Sequence, residues 1–219
     1  MKKIMFNDEF RLTQAVLNGR KTMTRRIIEI DECVRFPIIR FRPLENWEKK
    51  VVNPNYVFNG HVYAVYNELD LLCHLVKPRY EIGEVVAIAQ SYKDSGYSPD
   101  SLDRHPKDLS VRGLMKDSAG WNNKMFVKSY ACRHHIKIVN VKIERLQDIS
   151  DEDCLKEGVI HAYTDNNGIK IYHTPHTKRG YLSTDVAQEA FAALIDKVSG
   201  KGTWGNNPFV FAYEFVLFD

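Results

Sequence analysis

In the stretch HHIKIVNVKIERL, apolar side chains fall at Ile136, Ile138, Val139, Val141 and Ile143, a near-alternation that predicts a long strand. KTMTRRII, HVYAVYNE, the apolar run EVVAIAQSY and the terminal PFVFAYEFVLF also read as strands. They are rich in residues that suit a pleated, half-buried surface. Val186, Ala190, Leu194 and Val198 recur at four-residue spacing, which predicts a helix starting at Thr184 or Asp185. An earlier helix is expected over EFRLTQAVLNG, capped by Asn7 or Asp8, with Phe10, Thr13, Val16 and Leu17 along one face. Gly19 is its left-handed stop. A short helix should follow the long strand, where Ser150 and Asp153 form a capping box and Gly158 ends about two turns.

Between these periodic segments the chain is punctuated. Pro37, Pro43 and Pro54 cut residues 31–60 into short extended pieces, and KPRYEIGE reads as a turn. Residues 93–124 and 159–183 are polar and read as two long loop insertions, the kind that is often functional in a compact domain. The elements do not repeat as βαβ units. The expected architecture is therefore one α+β domain over 1–219, a mixed or antiparallel sheet curled into a barrel with peripheral helices.

Composition narrows the class. Hydrophobic residues at 44% and charged residues at 27% suit a soluble globular chain, and no apolar run is long enough to cross a bilayer. MKKIMFNDEF meets acidic residues before any sustained apolar region, so no signal peptide is expected and the location is read as cytoplasmic. Cys33, Cys73, Cys132 and Cys154 form no CxxC pair, which argues for reduced, mostly buried thiols rather than a zinc ribbon. No cofactor or metal is expected. In HTPHTKRG, Pro175 separates His173 from His176 and opposes a helical metal face. GKGTWG, Gly200–Gly205, matches GxGxxG in letters only: a helix precedes it and a strand follows, the reverse of a dinucleotide fold.

Charge is informative by position. The chain carries a net +3, yet residues 11–50 alone hold ten Lys or Arg against five Asp or Glu. The densest part is GRKTMTRR, Gly19–Arg26, at a helix-to-strand corner. A lysine beside arginines has its charged form disfavoured, and a lysine with a lowered pKa can activate a hydroxyl nucleophile. In a regular strand Lys21 and Thr24 would point to opposite faces, so their convergence needs a bend. A basic turn without chemistry accounts for the same residues. Glu157, at the end of the short helix, is placed where the helix dipole disfavours a carboxylate.

FNDEFRLTQAVLNGRKTMTRR resembles the opening of ASCH-domain proteins, whose barrel is similar to the PUA domain of RNA-modifying enzymes. Gly19, Lys21 and Arg26 match the family signature GxKxxExR, with Thr24 in place of its glutamate. YEIGEVVAIAQSY, IKIVNVKIERLQDISDEDCLKEGV and GTWGNNPFVFAYEFVLF resemble the larger, phage-associated members. One branch removes the acetyl group from N4-acetylcytidine. By that resemblance Lys21 takes a proton from Thr24, Thr24 attacks the amide, and Glu157 supports the lysine. A second branch cleaves RNA. The resemblance therefore implies a basic cleft for a nucleoside or single-stranded RNA, with deacetylation of N4-acetylcytidine and RNA cleavage as enzymatic alternatives. A regulatory protein acting through protein partners is a further class. The cleft is expected between the 19–26 corner, the strand end at Ser91 and Tyr92, and the helix carrying Glu157. Arg20, Arg25, Arg26, Ser91, Tyr92 and Arg133 are its expected ligand contacts.

Overall fold

The computed structural model describes residues 1–30, 38–45, 47–48, 60–96, 119–175, 177 and 180–218. In chain order its elements begin with β1 (Lys3–Ile4), α1 (Leu12–Leu17), β2 (Met23–Ile27), β3 (Ile38–Pro43), β4 (Tyr63–Asn67), β5 (Leu72–Val76), β6 (Val85–Ile88) and α2 (Tyr92–Ser95). They continue with β7 (His135–Arg145), α3 (Asp151–Lys156), β8 (Ile160–Thr164), β9 (Lys170–His173), β10 (Ser183–Thr184), α4 (Ala187–Ser199), α5 (Thr203–Asn206) and β11 (Phe209–Leu217).

The central sheet has the order β1-β6-β7-β11-β2, antiparallel except for the parallel β1–β6 pair. The class is α+β and largely antiparallel, as the pattern predicts, but the sheet is not a closed barrel. Its edge strands β1 and β2 do not pair with each other, and a two-residue β1 offers too short a ladder to close one. Two three-stranded sheets, β3-β4-β5 and β10-β9-β8, accompany it.

β7 explains its own broken alternation. The β7–β11 register slips where Ile138 pairs with Phe215 and Asn140 pairs with Glu214, leaving Val139 as the extra residue of a bulge. Val139 is exposed while Ile136, Ile138 and Val141 are buried, so the apolar spacing resets its phase across the bulge. The core on that side joins Ile4, Phe6, Val86, Ile88, Tyr213 and Phe215, with Val65 and Val76 from the second sheet. A second core packs α4, through Phe191 and Ile195, against Leu146, Cys154 and Val210.

Several local expectations move. α1 begins at Leu12, after Arg11 in the left-handed region (φ 52°) with no side-chain cap. Asn7 instead accepts from Glu9 N (2.9 Å) and Asp8 from the Thr13 hydroxyl, so the acid and amide tie down a turn ahead of the helix. Gly19 is left-handed as expected (φ 71°). Much of the segment read as a loop over 159–183 is strand. β8, β9 and β10 form an antiparallel meander around the turn Asp165–Gly168, where the Asp165 carboxylate accepts from Asn167 N and Ile169 N. The exposed polar side chains of these strands hid the alternation. Most of the 93–124 segment, residues 97–118, lies outside the described residues, as do Cys33 and His176. Val186, not Thr184 or Asp185, is the N-cap of α4; the Thr184 hydroxyl bonds Glu189 and Val186 N.

No helix among the described residues is long and apolar enough to cross a membrane. Cys132 and Cys154 are buried and unpaired, and burial pushes the Cys154 thiol up to about 12.

Candidate functional site

Two remote segments meet at the free edge of β2. The α1 exit is tight: the amides of Arg20 and Lys21 both donate to the carbonyl of Ala15 (2.9 Å each). Lys21 therefore still belongs to the helix exit, and the strand starts only at Met23. This is the bend that convergence requires. Thr22 N then donates to the Lys156 carbonyl (3.0 Å), stitching the corner to the end of α3.

α3 is built to hold that end still. The Ser150 hydroxyl accepts from Asp153 N (3.2 Å) and three acidic residues occupy the first turn, where the dipole favours them. The capping box is half formed, because the Asp153 carboxylate is committed to Arg25 and Lys142 instead. Glu157 is the C-cap and Gly158 follows in the left-handed region (φ 112°). A Cβ there would stand 3.1 Å from Leu12 Cδ2, so glycine lets α3 close on α1 and Lys21.

Lys21 and Glu157 meet at 2.6 Å, both essentially dry. The ammonium also donates to the carbonyls of Met23 and Glu157 (2.7 Å each) and lies 5.9 Å from the Phe6 ring centre. Burial holds the Lys21 amine below its ordinary value; Glu157 opposes that, and the like charges of Arg26 and Arg25 add smaller contributions in the same direction as burial. The lowered amine agrees with the sequence reading, but desolvation rather than neighbouring arginines is the main cause.

Arg25 is drawn into an ion network. It is buried, and its guanidinium spans three carboxylates: Glu144 (2.9 and 2.5 Å), Asp153 (3.1 Å) and Glu157 (3.1 Å). Burial works against its charge, but these carboxylates outweigh that and raise it above the ordinary arginine value. Lys142 bonds the Glu144 and Asp153 carboxylates at 2.9 Å each. The pairing geometry explains the reach. Ala212 of β11 lies between Arg25 on β2 and Lys142 on β7, and its small side chain leaves that row of the sheet open.

Two hollows adjoin this corner. A cavity of about 50 Å³ is lined by Lys21, Thr24, Arg25, Arg26 and Glu157, with an apolar wall from Phe6, Leu12 and the α4 residues Phe191, Leu194 and Ile195. Thr24 is a buried residue that lines this cavity. A cleft of about 600 Å³ shares Met5, Arg25, Arg26 and Ser199 with that cavity and opens between the central sheet and β5. Lys3, Arg26, His74, Lys77 and Arg79 line it, with Tyr80 and Tyr213 on its floor and Glu29 as the acid. Thr24 and Arg26 share the sheet face of Tyr213 and Phe211, the side of this cleft, whereas Arg25 faces the ion network.

The remaining predicted contacts lie elsewhere. Arg20 is exposed and lines neither hollow. Ser91 caps α2, bonding Asp94, and Tyr92 packs with Ala87, Val127 and Cys132. Arg133 is on that side too, its amide donating to Gln90 (2.9 Å). These three do not line the Lys21 cavity, because α2 follows β6, on the far side of the sheet from β2. Glu144, Asp153, Lys142, His74, Lys77 and the α4 wall were not among the expected site residues. The outward pair Lys142 and Glu144, two residues apart on one strand, was the available signal for part of this set.

Compared with known proteins, the chain matches no family model, no curated protein and no solved structure.

Proposed function

We propose that the protein holds a nucleoside, or a nucleotide of single-stranded RNA, in the basic cleft and hydrolyses a small amide on the base, with N4-acetylcytidine as the substrate. The proposal takes the open five-stranded sheet as a version of the PUA-like barrel of ASCH proteins. One observation carries it: Thr24 lines the same small cavity as the buried Lys21–Glu157 pair, so a hydroxyl, an amine and an acid from remote parts of the chain share one hollow. A hydroxyl and an amine of lowered basicity on one hollow are the nucleophile and base that acyl transfer uses.

In this reading the Thr24 oxygen attacks the amide carbonyl as Lys21, in its neutral form, takes the hydroxyl proton. The carbon–nitrogen bond breaks and Lys21 returns the proton to the departing exocyclic amine. Water then cleaves the threonyl ester to release acetate. Glu157 orients the amine. The small cavity suits an acetyl-sized group, with the base and sugar in the larger cleft beside Tyr80 and Arg26. A second reading, recognition without turnover, is favoured by the three acceptors that already take the Lys21 protons.

Incubation with N4-acetylcytidine, followed by chromatography, separates them. Cytidine and acetate should appear with the native chain, and Lys21→Ala and Thr24→Ala should each reduce the rate at least about a hundredfold. A folded native chain that binds the nucleoside and leaves it intact decides for recognition; one that does neither removes both.

A further inference from the structure

The Glu157 carboxylate is shared. Its Oε2 meets Lys21 at 2.6 Å and its Oε1 meets the Arg25 guanidinium at 3.1 Å, while Arg25 also meets Glu144 and Asp153. A carboxylate held by lysine alone would stabilise the ammonium and spoil the amine as a base. Arg25 prevents that in two ways: it draws on the same negative charge, and it presents a positive charge of its own. Glu144 and Asp153 moderate the second effect. The charged groups facing Lys21 are Glu157 from α3 and Arg25 and Arg26 from β2; the α1 and α4 sides contribute only apolar side chains, Asn7 and Ser199.

We infer that Arg25 is a positioning residue that sets the basicity of Lys21 through Glu157, and that Glu144 tunes Arg25 from one shell further out. The inference rests on the reading of Lys21 as the base, and its readout is the amine itself. Removing the arginine charge hands Glu157 to Lys21 and makes the ammonium harder to deprotonate. Removing the Glu144 charge leaves Arg25 less neutralised and makes it easier. Simple loosening of the site would instead admit water and move Lys21 upward in both cases.

The test is an NMR titration of Lys21 in the full chain labelled with ¹³C,¹⁵N-lysine, the signal assigned by its loss in Lys21→Met. Arg25→Gln should raise the Lys21 midpoint by about one unit or more, a tenfold change in its proton equilibrium, and Glu144→Gln should lower it. Shifts of the same sign, or no shift in either variant, overturn the inference. Should Arg25→Gln fail to melt cooperatively, Glu144→Gln decides alone: a lowered midpoint supports the inference, and an unchanged or raised one overturns it. These results stand whether or not N4-acetylcytidine is consumed. Where it is, the acid limb of the rate profile should move to higher pH in Arg25→Gln.

Discussion

Lys21 and Glu157 lie 136 positions apart in the chain and are both nearly water-free in the fold, so each depends on the other for its charge. The dependence is unequal. Glu157 retains Arg25 when the lysine is removed, whereas Lys21 retains only two carbonyls when the acid is removed. Glu157→Gln should therefore cost about 3–5 kcal/mol and Lys21→Met roughly half of that or less, measured as urea midpoints at constant slope. Equal losses would mean that Arg25 does not support the carboxylate. The pH sign follows from the depressed amine. Between its folded value and the ordinary 10.5 the unfolded chain binds the Lys21 proton more tightly, so this group makes stability rise with pH across that window. Asp153 acts at the acid end. Burial pushes it up, but Lys142 and Arg25 more than offset this and hold it below 3.8, so its contribution is present above that value and lost as pH falls further.

At the level of elements, the site is a junction of three ends: the exit of α1, the edge of β2 and the C-terminus of α3. Helix ends and an edge strand present unsatisfied backbone groups, and here they satisfy one another through Lys21 Nζ to the Met23 and Glu157 carbonyls and Thr22 N to Lys156. Gly158 sets how closely they pack. Gly158→Ala forces a left-handed residue to carry a side chain against Leu12, and it should lower stability by about 1–2 kcal/mol. It should also reduce turnover more than that loss alone accounts for, because Lys21 Cδ lies 3.8 Å from the added atom. A stability loss with unchanged turnover would show that the amine tolerates a shift of α3. Much at this scale was legible: the corner, the Ser150 cap, Gly158 and the long strand each follow from local chemistry. The β8–β10 meander was not, since its strands are short, half exposed and polar, and nothing local distinguishes them from a loop.

Across the whole molecule, positive charge gathers where the β3-β4-β5 sheet faces the central one. His74 and Lys77 come from β5 and the turn after it, Arg79 and Tyr80 from the same turn, and Arg26 from β2. A single-stranded oligonucleotide in this cleft should bind more weakly as salt rises, because phosphate contacts release counterions. Lys77→Glu and Arg79→Glu should each lower affinity and reduce the salt slope by about one, read by fluorescence anisotropy across a salt series. An unchanged slope in both variants would place any bound strand elsewhere.

Local order along the chain determined the strands β2, β4, β6, β7 and β11, the Ser150 cap, the turn glycines Gly19 and Gly158 and the basic corner, because spacing, caps and turn glycines act over a few residues; the trio Lys21, Thr24 and Glu157 was an expectation from the family resemblance. Which charges touch was decided only by tertiary structure. Arg25 and Arg26 are neighbours of the same type, yet strand alternation turns one into a buried three-carboxylate network and the other toward a cleft. Ser91, Tyr92 and Arg133 are equally plausible on paper, but sheet order carries them to the opposite side. The pairing of distant strands sums many weak contacts over the whole chain, and no short stretch contains that sum.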